Sequence, residues 1–152
     1  MEISFLADQN YFCKTIAEWY YNEWAKHYNV PFNVVFEDVK IKSKSKTKFP
    51  LCFVAMDQNN AIGAVELKLY ENKGYNYKHW LGGLFVLPDH RRSGIAKKLI
   101  QAALDHSQKL GVEALYLQCK TEHSSLYSLF GFTSIHLLSD NTCVMVKASA
   151  NA

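Results

Sequence analysis

The chain has 152 residues, 49% hydrophobic and 20% charged, with a formal net charge of +3. That length and balance describe one globular domain, residues 1–152, with a real core, and they exclude a disordered or low-complexity chain. The mild positive charge admits an anionic ligand without calling for nucleic acid, and no apolar run reaches the ~20 residues of a membrane span or resembles a secretory leader.

Four cysteines, Cys13, Cys52, Cys119 and Cys143, lie far apart with no CxxC spacing, and three sit inside apolar runs. They read as buried free thiols of a reducing, cytoplasmic compartment. The six histidines show no metal-ligand spacing, so no metal is expected.

In chain order, residues 3–6 form a first short strand. Asp8 or Asn10 can cap a helix over about residues 11–28. Its Phe12, Ile16, Trp19, Tyr20 and Trp24 recur at three- and four-residue steps, which gives one buried stripe. Asn29-Val30-Pro31 breaks it, and residues 32–39 form a second short helix. A lysine then stands at every second position from Lys40 to Lys48. No aromatic side chain interleaves with these lysines, so they read as a solvated loop that blunts a neighbouring sheet edge rather than as a nucleic-acid surface.

Residues 50–56 are a strand, 57–60 a polar turn, and 61–70 the antiparallel partner, where Val65, Leu67 and Leu69 alternate with Glu66 and Lys68. Residues 71–79 are a polar loop. Residues 81–87 are a nearly continuous apolar strand, ended by Pro88-Asp89-His90 because proline cannot continue a central ladder. Gly82-Gly83 within it marks a bulge or the close approach of another backbone. A polar turn, His90-Arg91-Arg92-Ser93-Gly94, opens a helix with Ile95, Leu99, Ala102, Ala103, His106 and Leu110 on one face. Leu110-Gly111 closes that helix. Residues 112–119 are the next strand, joined through the helix as a right-handed βαβ unit and therefore parallel to the first. A short helix over 121–130 and two antiparallel strands, 133–138 and 142–147, complete the sheet, and residues 148–152 form a flexible tail.

The turn at residues 90–94 has its own chemistry. The first N–H groups of a helix lack intrahelical partners, and the helix dipole places partial positive charge there. A strand, a tight turn with small residues and a helix therefore make an anion site. Gly94 and Ala96 let a phosphate approach the backbone, and Arg91 and Arg92 add charge. Neither GxGxxG nor GxxxxGK[ST] is present, which excludes the dinucleotide fingerprint and the P-loop.

Arg91-x-x-Gly94-x-Ala96, preceded by Val86-Leu87-Pro88, resembles the acyl-CoA pyrophosphate loop of the GNAT superfamily of N-acetyltransferases. Leu115-Tyr116-Leu117 is similar to the family's next parallel strand, and Leu126-Tyr127 with Gly131-Phe132 to its "LY…GF" segment. The resemblance spans roughly residues 3–147. It implies an α/β fold of α+β type: a single domain with a mixed sheet of six to seven strands, a parallel central pair splayed at a bulge, and helices on both faces.

It further implies acetyl-CoA as acyl donor, held by main-chain contacts at Phe85 and Val86, by the loop Arg91, Arg92, Ser93, Gly94, Ile95 and Ala96, and by Ser124 and Tyr127. Tyr127 takes the place of the general acid that meets the departing thiolate, and the Val86 N–H meets the thioester oxygen. The acceptor pocket is expected from Tyr20, Tyr21, Glu23, Trp24 and Glu71, since aromatic rings with a carboxylate suit a cationic amine. The general base is not evident, because residues 81–86 carry no ionisable side chain. Glu71 and His79 lead the candidates, followed by Glu66, or Glu23 through water, with His123 able to reach the acceptor side.

The expected activity is acetyl transfer from acetyl-CoA to a primary amine of a small molecule, by direct attack in a ternary complex of a monomer or homodimer, with no nucleic-acid or membrane partner. Two alternatives stay open. One is a non-catalytic acyl-CoA-binding module, and the other an interaction domain built around the lysine run.

Overall fold

The computed structural model describes residues 1–149. One seven-stranded sheet organises it: β1 (Glu2–Phe5), β2 (Leu51–Asp57), β3 (Asn60–Lys68), β4 (Trp80–Val86), β5 (Ala114–Lys120), β6 (Thr133–Leu137) and β7 (Thr142–Ala148). The strand order is β1-β2-β3-β4-β5-β7-β6. All neighbours are antiparallel except β4 and β5. That parallel pair is the product of the βαβ crossover, whose helix α3 (Ile95–Lys109) returns the chain to the same end of the sheet.

Two cores lie on the two faces. On one, α3 buries Ile95, Leu99, Ile100, Ala103 and Leu104 against Leu67, Leu81, Leu115 and Leu117. Each of those leucines and isoleucines contributes roughly 1.5–3 kcal/mol. The expected stripe is turned slightly: Ala102 and Leu110 are only partly covered. His106 lies edge-on to Phe5 and Phe53 and donates from Nε2 to the Lys46 carbonyl at 2.6 Å.

On the other face sit α1 (Cys13–Glu23) and α2 (Phe32–Lys42). Their Phe12, Ile16, Ala17, Tyr20 and Val39 meet Cys52, Val54 and Ala64 of the sheet. The single helix expected over residues 11–28 is broken at Trp24, which leaves helical geometry at φ −129° and brings its ring to 5.5 Å from Tyr20 and 6.4 Å from Phe85. Asn29 then takes the left-handed conformation at φ 59° and turns the chain toward α2.

The second helix runs past its expected end to Lys42, so the lysine run is not wholly a solvated loop. Lys42 is 3% exposed. Lys40 pairs with Glu37 at 2.9 Å, and Lys46 reaches Asp8 at 3.1 Å and lies over the Phe5 ring. Only Lys42 of this run is buried, and Lys40 and Lys42 stand at the helix C-terminus that favours cations. The last short helix, α4, is confined to Ser124–Ser128.

All four cysteines are free thiols; Cys119 and Cys143 face each other across β5 and β7 with their sulfurs 3.8 Å apart. The expected tail is paired over its first two residues, since Ala148 ends β7 and the Ser149 N–H donates to the Glu113 carbonyl at 2.8 Å. Its remainder, residues 150–152, lies outside the described residues. Among the described residues no helix is long and apolar enough to cross a membrane.

Candidate active site

The site forms where β4 parts from β5. The two strands pair at Trp80 with Tyr116 and Leu81 with Leu117, and the Tyr116 N–H donates to the His79 carbonyl. Past Leu81 the pairing stops. An irregularity stands two residues on, on the other side of β4. Its register with β3 slips between Ala64 and Glu66, so that Val65 faces both Gly83 and Leu84. Gly83 adopts φ +58°, a backbone angle open to glycine and costly for a side chain. The glycine pair therefore does mark a bulge, and the bulge opens a wedge toward the carboxyl ends of β4 and β5, where open α/β sheets bind ligands.

The bulge also resets which main-chain groups face the wedge. The Leu87 N–H donates to the Ile62 carbonyl at 2.9 Å, and Phe85 pairs with Ala64. Along a strand the hydrogen-bonding direction alternates, so Phe85 turns its N–H and C=O to β3 while Leu84 and Val86 turn theirs to the wedge. Of the expected main-chain pair, Val86 turns to the wedge and Phe85 does not; Leu84 is the other residue that does. What Phe85 presents is its ring, stacked on Trp19 at 5.2 Å, with the Arg91 guanidinium 5.7 Å from its centre.

At the mouth of the wedge the turn Pro88–His90 leads to α3. Arg91 donates from Nε to the Val86 carbonyl at 2.8 Å, which anchors the turn to the strand end. Arg92 takes φ +63°, and Ser93 turns its hydroxyl back to the His90 carbonyl at 2.5 Å. Gly94 caps α3 at φ +84°, with no side-chain cap on the helix and no atom within 4 Å of where a Cβ would stand. The Ile95, Ala96 and Lys97 N–H groups of the first turn have no intrahelical partner and stand at the positive end of a fifteen-residue helix.

Tyr127 lies at the same end of the sheet, on α4 beyond the end of β5. Its ring meets Phe132 edge-on at 6.1 Å. Burial, with the Cys119 thiol beside it, holds its hydroxyl above the ordinary tyrosine value. Burial and the neighbouring Cys143 push the Cys119 thiol up to about 12. Ser124 donates its hydroxyl to the Thr121 carbonyl at 2.7 Å at the start of α4.

The remaining expected residues scatter. Tyr20 is buried and donates to the Gly83 carbonyl at 2.6 Å, so it underlies the bulge rather than lining a pocket. Tyr21 packs edge-on against Phe32 between α1 and α2, and Glu23 is exposed. Trp24, 40% exposed, brings its ring to 6.4 Å from that of Phe85 on β4. Glu71 pairs with Lys68, and both lie over Gly82 on the face opposite α3.

His79 takes φ +76° and packs its ring edge-on to Phe49, which belongs to the α3 core; burial and then Lys78 lower its pKa. It therefore stands on the other face from Glu71. His123 is exposed and lies 3.7 Å from Glu122. Glu66 is 3% exposed and its Oε2 lies 2.8 Å from Lys42 Nζ.

One wall was not foreseen. The Tyr77 ring stacks on Tyr116 at 4.2 Å, its hydroxyl meets His136 Nε2 at 2.8 Å, and Tyr75 stacks on His136 at 4.6 Å. Asn72 donates to the Gln118 side chain at 2.9 Å beside them. The loop after β3 is thus laid across the sheet face next to Glu71. The paired Tyr75 and Tyr77 in an otherwise polar loop were the one sequence signal of it.

The model of the acetyltransferase (GNAT) family matches residues 13–132. N-alpha-acetyltransferase 30 of Schizosaccharomyces pombe is 32% identical over 83 residues, which are 53% of this chain and 55% of that protein. Its counterpart in Saccharomyces cerevisiae is 28% identical over 85 residues, 53% of this chain and 48% of that protein. The matched stretch spans about half the length of these curated relatives. Among solved structures, an aminoglycoside 6'-N-acetyltransferase complexed with coenzyme A superposes with a TM-score of 0.75 at 14% identity, over 97% of both chains. An acetyltransferase from Salmonella typhimurium with its cofactor acetyl-CoA does so with a TM-score of 0.73 at 16% identity, over 97% of this chain and 93% of that one.

Proposed function

The chain belongs to the acetyltransferase (GNAT) family, and from that premise we propose that it moves the acetyl group of acetyl-CoA to the α-amine at the N-terminus of a peptide or protein. The observation that carries the donor half is the open cradle at Gly94, set at the mouth of the β4–β5 wedge. The first-turn N–H groups of α3 and the Arg92 guanidinium take the pyrophosphate. Arg91, tied to the Val86 carbonyl, holds the turn in place and adds charge. The Leu84 and Val86 main chain supports the arm that carries the thioester.

The donor supplies a thioester whose carbonyl carbon accepts the amine. The C–N bond forms, the C–S bond breaks, and one amine proton ends on the sulfur of the leaving CoA. The Val86 N–H meets the carbonyl oxygen as it gains charge. Tyr127 stays protonated at neutral pH, the state a donor needs. Since its hydroxyl is a weaker acid than a thiol, it stabilises the leaving sulfur as a hydrogen-bond donor, and the net proton comes from the nitrogen.

The acceptor half departs from the small amine expected at first. Two considerations favour the α-amine. The curated relatives are N-alpha-acetyltransferases. The site also lacks a carboxylate on β4 itself, and of the two beside that strand Glu66 is buried against Lys42 and Glu71 is paired with Lys68. An alkylamine with pKa ~10.4 is roughly 0.04% neutral at pH 7, whereas an α-amine near ~7.8 is roughly 14% neutral. A site without a strong base therefore favours the α-amine by about 300-fold in attacking species.

The test is a panel of unblocked peptides, the same peptides with a blocked N-terminus and an internal lysine, polyamines and aminoglycosides, with released thiol measured and the product located by mass spectrometry. Acetylation of unblocked peptides alone is the expected result. Turnover confined to a small amine would overturn the acceptor assignment and leave the donor site standing.

A further inference from the structure

Three polar side chains converge beneath the bulge from three different elements. Tyr20 of α1 donates to the Gly83 carbonyl at 2.6 Å. A Cβ added at Gly83 would stand 2.8 Å from Tyr20 Oη and 2.8 Å from Glu66 Oε1, so both oxygens press on that residue's Cα. Glu66 of β3 is 3% exposed, and its other oxygen lies 2.8 Å from Nζ of Lys42 without an aligned hydrogen bond. Lys42 of α2, also 3% exposed, reaches Asp38 at 2.5 Å on its far side.

Buried ion pairs contribute little net stability, because desolvation offsets their attraction, and an apolar trio of similar size would pack at least as well. What such a pair does supply is direction. This one is directed at a single carbonyl and a single glycine in the strand that carries the wedge.

We propose that Lys42, Glu66 and Tyr20 are positioning residues that brace the β4 bulge, and so set the aim of the Leu84 and Val86 main chain toward the acyl donor. Lys42 fixes the Glu66 carboxylate, Glu66 and Tyr20 leave room only for glycine at 83, and the Tyr20 hydroxyl pins the Gly83 carbonyl out of the ladder. The brace rests on the reading of the wedge as the acyl-CoA site. Charge supports the picture. Burial alone would lower the Lys42 ammonium, but Glu66 and Asp38 outweigh it and raise it, while burial and the Glu66 charge hold Tyr20 neutral. Lys42 therefore keeps its charge and Tyr20 its proton throughout the neutral range.

The experiment compares the full chain with Tyr20→Phe, which removes one oxygen, and with Lys42→Met and Lys42→Arg. Hydrogen exchange across the sheet is read together with kcat and KM for acetyl-CoA. In Tyr20→Phe the β3-bonded amides among residues 83–86, Phe85 above all, should exchange about tenfold faster while those of β2 and β5 stay within about threefold. The kcat should fall about tenfold with KM for acetyl-CoA within about twofold, because the phosphate cradle is untouched while the reacting carbonyl is misaimed. Lys42→Arg should recover most of what Lys42→Met loses.

Unchanged exchange at residues 83–86, or faster exchange spread evenly over the sheet with kcat intact, would overturn the brace. If Lys42→Met does not fold, the Tyr20→Phe exchange pattern decides alone. A wild-type protein that transfers acetyl to nothing would defeat the functional reading instead, and the exchange arm, which needs no substrate, would still decide the brace.

Discussion

Replacing Gly83 by alanine isolates the bulge, because two neighbouring glycines serve as its controls. At Gly83 the new Cβ would stand 2.8 Å from both Glu66 Oε1 and Tyr20 Oη, at φ +58°. The left-handed backbone alone costs an alanine about 1–2 kcal/mol. The contacts cannot be relieved cheaply, since moving Glu66 loosens its pairing with Lys42, and a buried pair fully broken costs about 3–5 kcal/mol. A partial shift brings the expected loss to about 3 kcal/mol, or a fall in melting temperature of roughly 6–12 °C for a domain of this size.

Gly82→Ala meets the Lys68 side chain at 2.8 Å, a flexible neighbour that can swing away, and should lose less than about 1 kcal/mol. Gly94→Ala has no neighbour within 4 Å but the same sign of φ at +84°, so it reads the backbone term alone, about 1 kcal/mol. Urea and thermal unfolding of the three variants give the ordering. A Gly83→Ala protein no less stable than Gly94→Ala would show that Glu66 and Tyr20 yield freely, and the argument from contact would fail.

Three further outcomes follow from the site. Tyr127→Phe should lower kcat by about 10–100-fold, at the low end of proton-donor effects, with acetyl-CoA binding unchanged by calorimetry; equal turnover would remove Tyr127 from the reaction. With a peptide acceptor, kcat/KM should rise with pH through the α-amine value near ~7.8 and then level. It should not fall until above pH 10, because the Tyr127 hydroxyl is raised by burial and keeps its proton past the ordinary tyrosine value; a fall near pH 9 in the pH–rate profile would contradict this.

Stability should decline from about pH 8.5, where unfolded thiols ionise while burial keeps Cys52 protonated and Cys119 is pushed up to about 12. It should steepen above about pH 10 as Tyr20 and Lys42, both raised in the fold, add their share. Each such group contributes fully below its unfolded value and is lost as pH rises toward its folded one, at about 1.4 kcal/mol per proton per pH unit. Urea unfolding at pH 7, 9 and 10.5 checks it, and a flat profile would count against the buried, protonated assignment of all four.

What was legible in the sequence was whatever depends on neighbours along the chain. The stripe from Ile95 to Leu104, the break at Pro88, the glycine pair at 82–83 and the turn at 90–94 are local patterns, and each gives its element or its irregularity in the structure. Partners across the fold were not legible. Lys42 sits in an alternating lysine run whose other members face outward, and nothing local says that one of them meets a carboxylate 24 positions later. Tyr20 reads as one more aromatic of a helical stripe, yet its hydroxyl answers a carbonyl 63 residues away. Tyr77 meets His136 across 59 residues. The main-chain assignment shifted for a subtler reason: one extra residue in a strand reverses which edge every later residue addresses, so the correct pair depends on where the bulge lies and not on how the strand is spelled.

The bulge also accounts for the carboxylate that β4 lacks. A side chain at 83 would have to occupy the space already held by Glu66 Oε1 and Tyr20 Oη, and one at 82 would displace Lys68. The carboxylate against Gly83, Glu66, is on the neighbouring strand, buried and paired with Lys42, and Glu71 beside Gly82 is paired with Lys68. Buried and paired with Lys42, Glu66 is not presented to an amine arriving in the wedge. The three residues proposed to brace the bulge thus place no exposed carboxylate in the wedge. An acceptor that arrives partly neutral needs none, and that is the physical argument behind the proposed α-amine acceptor.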